Sequence, residues 1–364
     1  MKPRERVEMA LNHLEPDRCP FQASFTPEFA RRLRADLDFE KGDVHNPHGG
    51  GNTYRLEREL QEDMLLTSIG WANSYYQDDH DYTDEWGVGW KIAEYETPFG
   101  PGHYTEIASH PLAEDQAVES YQAPDPNRPE LYKSSEEMIS RFQDQYWIVG
   151  VTVTTIFETA WALRGLQQML LDMAINPELA HRILEIPFQY HLTAAKKLAE
   201  MGVDMIWTGD DIGAQDRMMI SPQMWRTFLK PRMREFISEL KAINPDLKVA
   251  YHSDGNFLPV IPELIEIGVD VLNPIQPASM NPAELKEEYG EELCFWGTID
   301  EQHTLPFGTP QDVELEIIER LKTIGKGGGL ILAPTHHVQL DTPLENFWAM
   351  IETITDTNYK DIQN

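Results

Sequence analysis

Apolar and polar positions along the chain switch repeatedly between two periods. Pro3–Leu14 places Val7, Leu11 and Leu14 on one helical face, and Cys19–Ser24 and Asp63–Ile69 are short apolar runs bounded by turn residues, as buried strands are. Leu56–Leu60 reads as a short helix between them, and residues 41–53 as a loop. From Tyr146 onward the alternation is regular. Strands are predicted at Tyr146–Thr152, Asp204–Thr208, Lys248–His252, Val269–Leu272, Leu293–Gly297 and Gly329–Ala333. Helical spacing follows each, at Trp161–Met173 with Pro177–Glu200, then Pro222–Ile243, Pro259–Ile267, Pro282–Tyr289, Pro310–Ile324 and Pro343–Ile354. Five helix starts share one device, in Asn176-Pro177, Ser221-Pro222, Asn281-Pro282, Thr309-Pro310 and Thr342-Pro343. A short polar side chain caps the open N–H groups, and proline at the first helical position needs no partner.

Eight strands, each followed by a helical segment, predict an α/β fold of the (β/α)8 TIM-barrel type. The rival is an open doubly wound sheet, which would want a glycine-rich turn after the first strand, and none is present. Residues Trp71–His110 break the repeat. They are rich in Trp, Tyr, Gly and Asp and read as an inserted β excursion after strand two, with a proline-rich linker at 122–130. The whole chain, 1–364, therefore reads as one barrel domain with an insertion at about 71–130.

Composition narrows the function. Against 30 Lys and Arg stand 61 Asp and Glu, a formal net charge of −31, while 41% hydrophobic residues are ample for a core. Such a surface repels nucleic acid and anionic membrane alike. Cys19 and Cys294 form neither a disulfide framework nor a CxxC knuckle, which suits a reducing compartment. The opening MKPRERVEMALNHLEPDR has no apolar stretch long enough for a signal peptide, and the longest apolar-rich run, Tyr146–Val153, is too short to span a bilayer. The expectation is a soluble, cytoplasmic enzyme acting on a small, neutral or cationic partner.

In a TIM barrel the chemistry sits at the C-terminal ends of the strands. That rule singles out Thr154, Thr155 and Glu158 after strand three, Asp210 and Asp211 after strand four, and His252, Ser253 and Asp254 after strand five. Asn273 and Gln276 follow strand six, Asp300, Glu301 and Gln302 strand seven, and Thr335, His336 and His337 strand eight. His252 and Asp254, one residue apart, can both point inward. With His336 they offer imidazole and carboxylate ligands for a first-row metal such as zinc, with positions left for substrate. Without metal the same groups can act as general acid and base. Glu158 after strand three and the pair Asp210–Asp211 read as acid/base groups, or equally as a helix-start charge and a solvated turn. Trp71, Trp207 and Tyr251 read as an apolar substrate wall, with Asn273 and Gln276 as polar anchors. The stretch Trp71–Tyr82 reads as a lid, a plain insertion or a homodimer contact. No GxxxxGKS phosphate loop and no GxSxG elbow occurs, the glycine-rich 325–329 lies on the stability face, and Cys294 begins a strand, away from any mouth.

Several segments resemble the uroporphyrinogen decarboxylase superfamily: PRERVEMALNHLEPDRCP, FETAWALRG, YHSDGNFLPVIPELIEIGVDVLNP, WGTIDEQHTLPFGTPQDV and GGGLILAPTHHVQLDTPLENF. The resemblance covers nearly the whole chain, implies a TIM barrel, and spans haem-pathway decarboxylases and corrinoid-linked methyltransferases. Where true decarboxylases carry an arginine-rich stretch for the substrate carboxylates, this chain reads FQASFTPEF, and Ser68 of LLTSIGW stands where they carry an aspartate. Coenzyme M methyltransferases of the superfamily hold zinc through His-x-Cys and a further Cys. The matching positions here are His252, Asp254 and His336. The ether-cleaving branch resembles Glu-x14-Glu-x20-His, a spacing matched by Glu301, Glu316 and His337. The resemblance therefore implies a zinc-assisted methyltransferase that exchanges a methyl group between a small methoxylated or methylated compound and a partner corrinoid protein. His252, Asp254 and His336 would be its ligands, Glu301 and His337 alternates, with Asp210, Asp211, Glu158 or His336 moving protons. The alternative is a metal-independent decarboxylase of a small carboxylated substrate.

Overall fold

The structure is a computed structural model and describes residues 1–39, 44–49, 51–69 and 80–362. Trp71, and with it residues 71–79 of the expected excursion, lies outside the described residues.

Seven strands form one parallel sheet in sequence order: β1 (Met64–Ser68), β5 (Trp147–Val151), β6 (Met205–Gly209), β7 (Lys248–His252), β8 (Val271–Asn273), β9 (Cys294–Ile299) and β10 (Leu330–Pro334). Between β1 and β5 the chain forms a second, three-stranded antiparallel sheet of β2 (Tyr82–Thr83), β3 (Gly89–Thr97) and β4 (Gly100–Ser109). The first predicted strand, Cys19–Ser24, is not a ladder strand but an extended segment lying along β10. Phe21 bridges Leu332 and Phe25 bridges Val338, with Leu332 N–H donating to Pro20 O at 2.9 Å and Gln22 N–H to Leu332 O at 3.1 Å. Pro20 has no N–H for a continuous ladder. Toward β1 the same segment is joined by Asp63. Its N–H donates to Phe21 O at 2.9 Å, and its carboxylate accepts from Phe21 N–H at 3.0 Å. That carboxylate, fully buried, also takes Arg6 at 2.6 Å and Arg18 at 2.7 Å.

Successive side chains on the curled sheet point alternately inward and outward. Met64, Leu66, Val149, Val151, Met205, Trp207, Ala250, Val271, Trp296 and Ile331 pack together inside, and Val7 and Leu11 of the helix Pro3–Leu11 join them. Cys294 belongs to the same packed interior, its Sγ 3.8 Å from Ala10 O, and burial pushes its thiol up to about 12. The alternate positions, Tyr251 among them, face the outer helices and form the larger core. The helix Pro177–Met201 packs on the outside of β5 and β6.

Two predicted helices are broken. Trp161–Met173 becomes Phe157–Arg164 and Leu166–Ile175, because Gly165 turns the chain at φ +92°. Pro222–Ile243 becomes Pro222–Phe228 and Lys230–Ile243, where Pro231 in the first turn cannot donate into a preceding helix. Ser221, Asn281 and Thr309 cap as expected, while Asn176 makes no side-chain cap and the last long helix starts at Leu344, behind Pro343.

Candidate active site and metal group

At the C-terminal ends of β6 and β7, Asp211, His252 and Asp254 offer one ligand atom each, all within 4.8 Å of one another. Local chemistry fixes each. His252 is the last residue of β7, opposite Asn273 of β8. The Asn273 amide donates to Trp296 O at 3.2 Å, so its Oδ1 is the acceptor facing His252 Nδ1 at 2.8 Å. The proton therefore sits on Nδ1, and the Nε2 lone pair is free on the side of Asp211, 3.6 Å away. Gly209, at φ +130°, makes this close approach of β6 to β7 feasible: a Cβ there would lie 2.2 Å from His252 O. Asp211 is held on both sides, its N–H donating to Glu158 Oε2 at 2.9 Å and its Oδ1 accepting from Asp254 N–H at 2.7 Å. Asp254 Oδ1 is buried with no hydrogen-bond partner. A buried carboxylate oxygen without a donor, beside a second carboxylate and a free imidazole lone pair, fits a divalent cation. The donor set is hard, nitrogen and oxygen only, and is compatible with zinc.

Glu158 stands next to this group. Burial, with repulsion from Asp211 and Asp210, pushes its carboxyl well above the ordinary carboxylate range. Burial also raises Asp254, against the pull of His336 and His252. Asp210 has a different task. Its carboxylate accepts from Ile156 N–H at 2.9 Å and Glu158 N–H at 3.0 Å, capping the start of Phe157–Arg164 and thereby placing Glu158. Behind that turn, buried His191 donates from Nδ1 to Thr155 O at 2.8 Å, and burial lowers its pKa to about 4.

A cavity of about 490 Å³ opens over these residues, lined by Glu158, Asp211, His252, His336 and His337, by Val153, Thr154, Trp161 and Ala162, and by His48. Trp90, Thr105, Glu106 and Ile107 of the antiparallel sheet complete the lining. A smaller pocket beside it reaches Gln22, Ser24, Trp207 and Asn273. Trp207 packs on Trp296 and on His252, with ring centroids 4.7 and 5.5 Å apart. His337 is buried against His48 and His336, and burial with these neighbours holds it well below the ordinary histidine range.

The predicted ligands are thus partly regrouped. His252 and Asp254 stand together, but the third member is Asp211. His336 is exposed and lines the cavity outside the group. Glu301 is not among the lining residues; it is buried behind the mouth, where its Oε1 accepts from Gln339 N–H at 3.3 Å. Glu316 is drawn to Arg320 at 3.0 Å and to Asp300 N–H at 3.2 Å. Tyr251 alternates outward from His252 and lies in the outer core, so it forms no substrate wall. Gln276 accepts from Gly255 N–H at 2.7 Å and supports the turn after Asp254. Sequence reasoning left His48, in the HNPHGG loop, and Trp90 and Ile107 without a role. The two histidines of that loop were the available signal, whereas nothing local marks the sheet residues.

The match to a family model decides the family. The uroporphyrinogen decarboxylase (URO-D) model matches residues 94–357. The chain belongs to the uroporphyrinogen decarboxylase family. Among solved structures, this URO-D chain resembles a methyltransferase from Methanosarcina mazei with TM-score 0.71 and 18% identity, over 98% of this chain and 99% of that one. At that identity the likeness shows the fold, an α/β TIM-barrel type. A psychrophilic glycoside hydrolase family 10 xylanase (TM-score 0.40, 8% identity, 66% and 86% coverage) and dihydropteroate synthase from Anaplasma phagocytophilum (TM-score 0.36, 20% identity, 57% and 73% coverage) are too distant to carry an argument. No curated protein matches the URO-D chain. No helix among the described residues is long and apolar enough to cross a membrane.

Proposed function

We propose that this URO-D family member is a methyltransferase of a corrinoid-dependent methyl-transfer system, moving a methyl group between a small methylated or methoxylated compound and the cobalt of a partner corrinoid protein. The observation that carries the reading is the Asp211–His252–Asp254 group beside Glu158 at the wall of a substrate-sized cavity. The likeness of the fold to a methyltransferase along nearly its whole length supports it. Asp211, His252 and Asp254 would hold zinc, and zinc held there supplies Lewis acidity toward an ether oxygen or another leaving group. The chain's own groups do the rest. Asn273 keeps His252 in the tautomer that presents Nε2. Glu158, whose Oε2 is engaged by Asp211 N–H, has Oε1 left to pass a proton to a departing oxygen. Trp161, Val153 and the β3–β4 residues shield the substrate from water.

The decarboxylase reading would need a cationic anchor for a carboxylate, and no Lys or Arg is among the described residues lining the cavity. The test is a methyl-transfer assay with cob(I)alamin and a panel of methylated and methoxylated donors, followed through the cobalamin spectrum, together with elemental analysis. The expected result is methylcobalamin with at least one donor and stoichiometric zinc that His252→Ala abolishes. Full activity of metal-free protein, or no methylcobalamin with any donor, would overturn it.

A further inference from the structure

One residue on the cavity wall has a backbone that its side chain disfavours. Among the described residues, six that are not glycine have positive φ. His13, Asp38 and Gln61 each stand just past a helix end, where a left-handed residue is usual. Tyr54 opens the helix Arg55–Glu59. Thr154, at φ +61°, and Thr298, at φ +83°, are β-branched, the class that left-handed backbone suits least. Of the two, Thr154 lines the cavity.

The chain around Thr154 is tied on both flanks to β6. Thr152 N–H donates to Trp207 O at 2.8 Å, and Thr155 N–H donates to Gly209 O at 3.1 Å. The Thr155 hydroxyl donates back to Thr152 O at 2.6 Å and closes the turn. Val153 and Thr154 must reverse the chain between these ties, and glycine would do so at the lowest steric cost. Threonine adds what glycine lacks. Its hydroxyl donates to Val153 O at 2.6 Å and holds the preceding peptide. Its carbonyl accepts from the Thr159 hydroxyl at 2.6 Å, within the helix Phe157–Arg164. That helix brings Glu158 and Trp161 to the cavity, and Glu158 in turn holds Asp211 N–H.

We infer that Thr154 is a positioning residue: its strained backbone, fixed by its own hydroxyl, sets the start of the helix Phe157–Arg164 and so the places of Glu158 and Trp161. Strain of this kind persists where the surrounding structure over-determines it, and it concentrates at active sites. The inference rests on the methyltransferase reading for its activity measurement alone.

The test compares Thr154→Gly, which removes the strain and the hydroxyl, with Thr154→Ser, which keeps the hydroxyl. Urea unfolding of Thr154→Gly should have a midpoint equal to or above that of the wild type, because relief of the left-handed strain offsets the extra freedom of glycine in the unfolded chain. Hydrogen exchange read by mass spectrometry should nevertheless be at least about tenfold faster over residues 152–160 of Thr154→Gly, and within about threefold of the wild type in Thr154→Ser. With any methyl donor that the wild type uses, kcat should fall at least about tenfold in Thr154→Gly and recover most of that loss in Thr154→Ser. A side chain that only stabilised the fold would lower the midpoint in Thr154→Gly, and that result overturns the inference. Unchanged exchange over 152–160 overturns it too, as does full activity of Thr154→Gly despite faster exchange. The two readings fail separately. No methyl transfer by the wild type with any donor sinks the methyltransferase reading, and Thr154 is then decided by the midpoint and the exchange rates.

Discussion

Asn273 offers a sharp test of the metal group, because it touches His252 and is not itself a ligand in the Asp211–His252–Asp254 set. Its Oδ1 receives the Nδ1 proton at 2.8 Å, and its orientation is fixed from behind by the Trp296 carbonyl at 3.2 Å. In Asn273→Leu the imidazole loses its acceptor. The ring is then free to place its proton on either nitrogen and to rotate, and a metal must reimpose both choices. Loss of such an outer partner typically costs about 10–100-fold in metal affinity, which is roughly 1.4–2.8 kcal/mol. Asn273→Asp refines the test. It keeps an oxygen toward His252 and would raise imidazole basicity, but it turns its other oxygen toward the Trp296 carbonyl with no proton between them. The geometry therefore predicts Asn273→Asp between wild type and Asn273→Leu. The assay is competition of zinc or cobalt binding against a chelator of known affinity, with the cobalt ligand-field spectrum reporting the donor set. A change below about threefold for Asn273→Leu would refute the tautomer argument, provided that His252→Ala in the same assay abolishes binding.

Two further predictions concern stability. Asp63→Asn leaves Arg6 and Arg18 buried without their shared carboxylate, so urea unfolding should show a loss of about 3–5 kcal/mol; a loss under about 1 kcal/mol would contradict the assigned role of Asp63 in joining the Cys19–Ser24 segment to β1. His191 stays neutral in the fold down to about 4, while the unfolded chain takes up that proton from 6.5 downward. Stability from this residue is therefore complete above pH 6.5 and is lost as the pH falls toward 4, by about 2 kcal/mol at pH 5. His191→Gln should flatten the wild-type decline between pH 7.5 and 5, and parallel curves for the two proteins would refute the assignment.

What could be read from the sequence divides along physical lines. The strand and helix alternation was legible because apolar spacing reports burial directly, and six predicted strands from Tyr146 onward appear as β5 to β10 within a residue or two at most ends. The break at Gly165 was missed because apolar spacing continues through it, while only its positive φ stops the helix. Asp211, His252 and Asp254 were all named from strand ends, yet their grouping depended on bonds that the sequence does not print, such as Asp254 N–H to Asp211. Position within a strand explains Tyr251: one residue before an inward histidine, it has to face out. His48, Trp90 and Ile107 reach the cavity from a loop and from a separate sheet, and such long-range placement leaves no local period to detect.

The seam at Pro20–Phe25 has a consequence for how the molecule is made. This early segment finds its hydrogen-bonding partner in β10, so Cys19 Sγ ends on Leu330 O across 311 residues of chain. During synthesis it must wait, apolar and unpaired, while nearly every other strand is produced. Val7 and Leu11 wait with it, because the interior they enter is finished only when Ile331 arrives. Closure between segments so far apart in sequence is slower than the pairing of neighbours. A ribosome-bound intermediate lacking β10 should therefore expose the helix Pro3–Leu11 to protease, and release of the full chain should protect it.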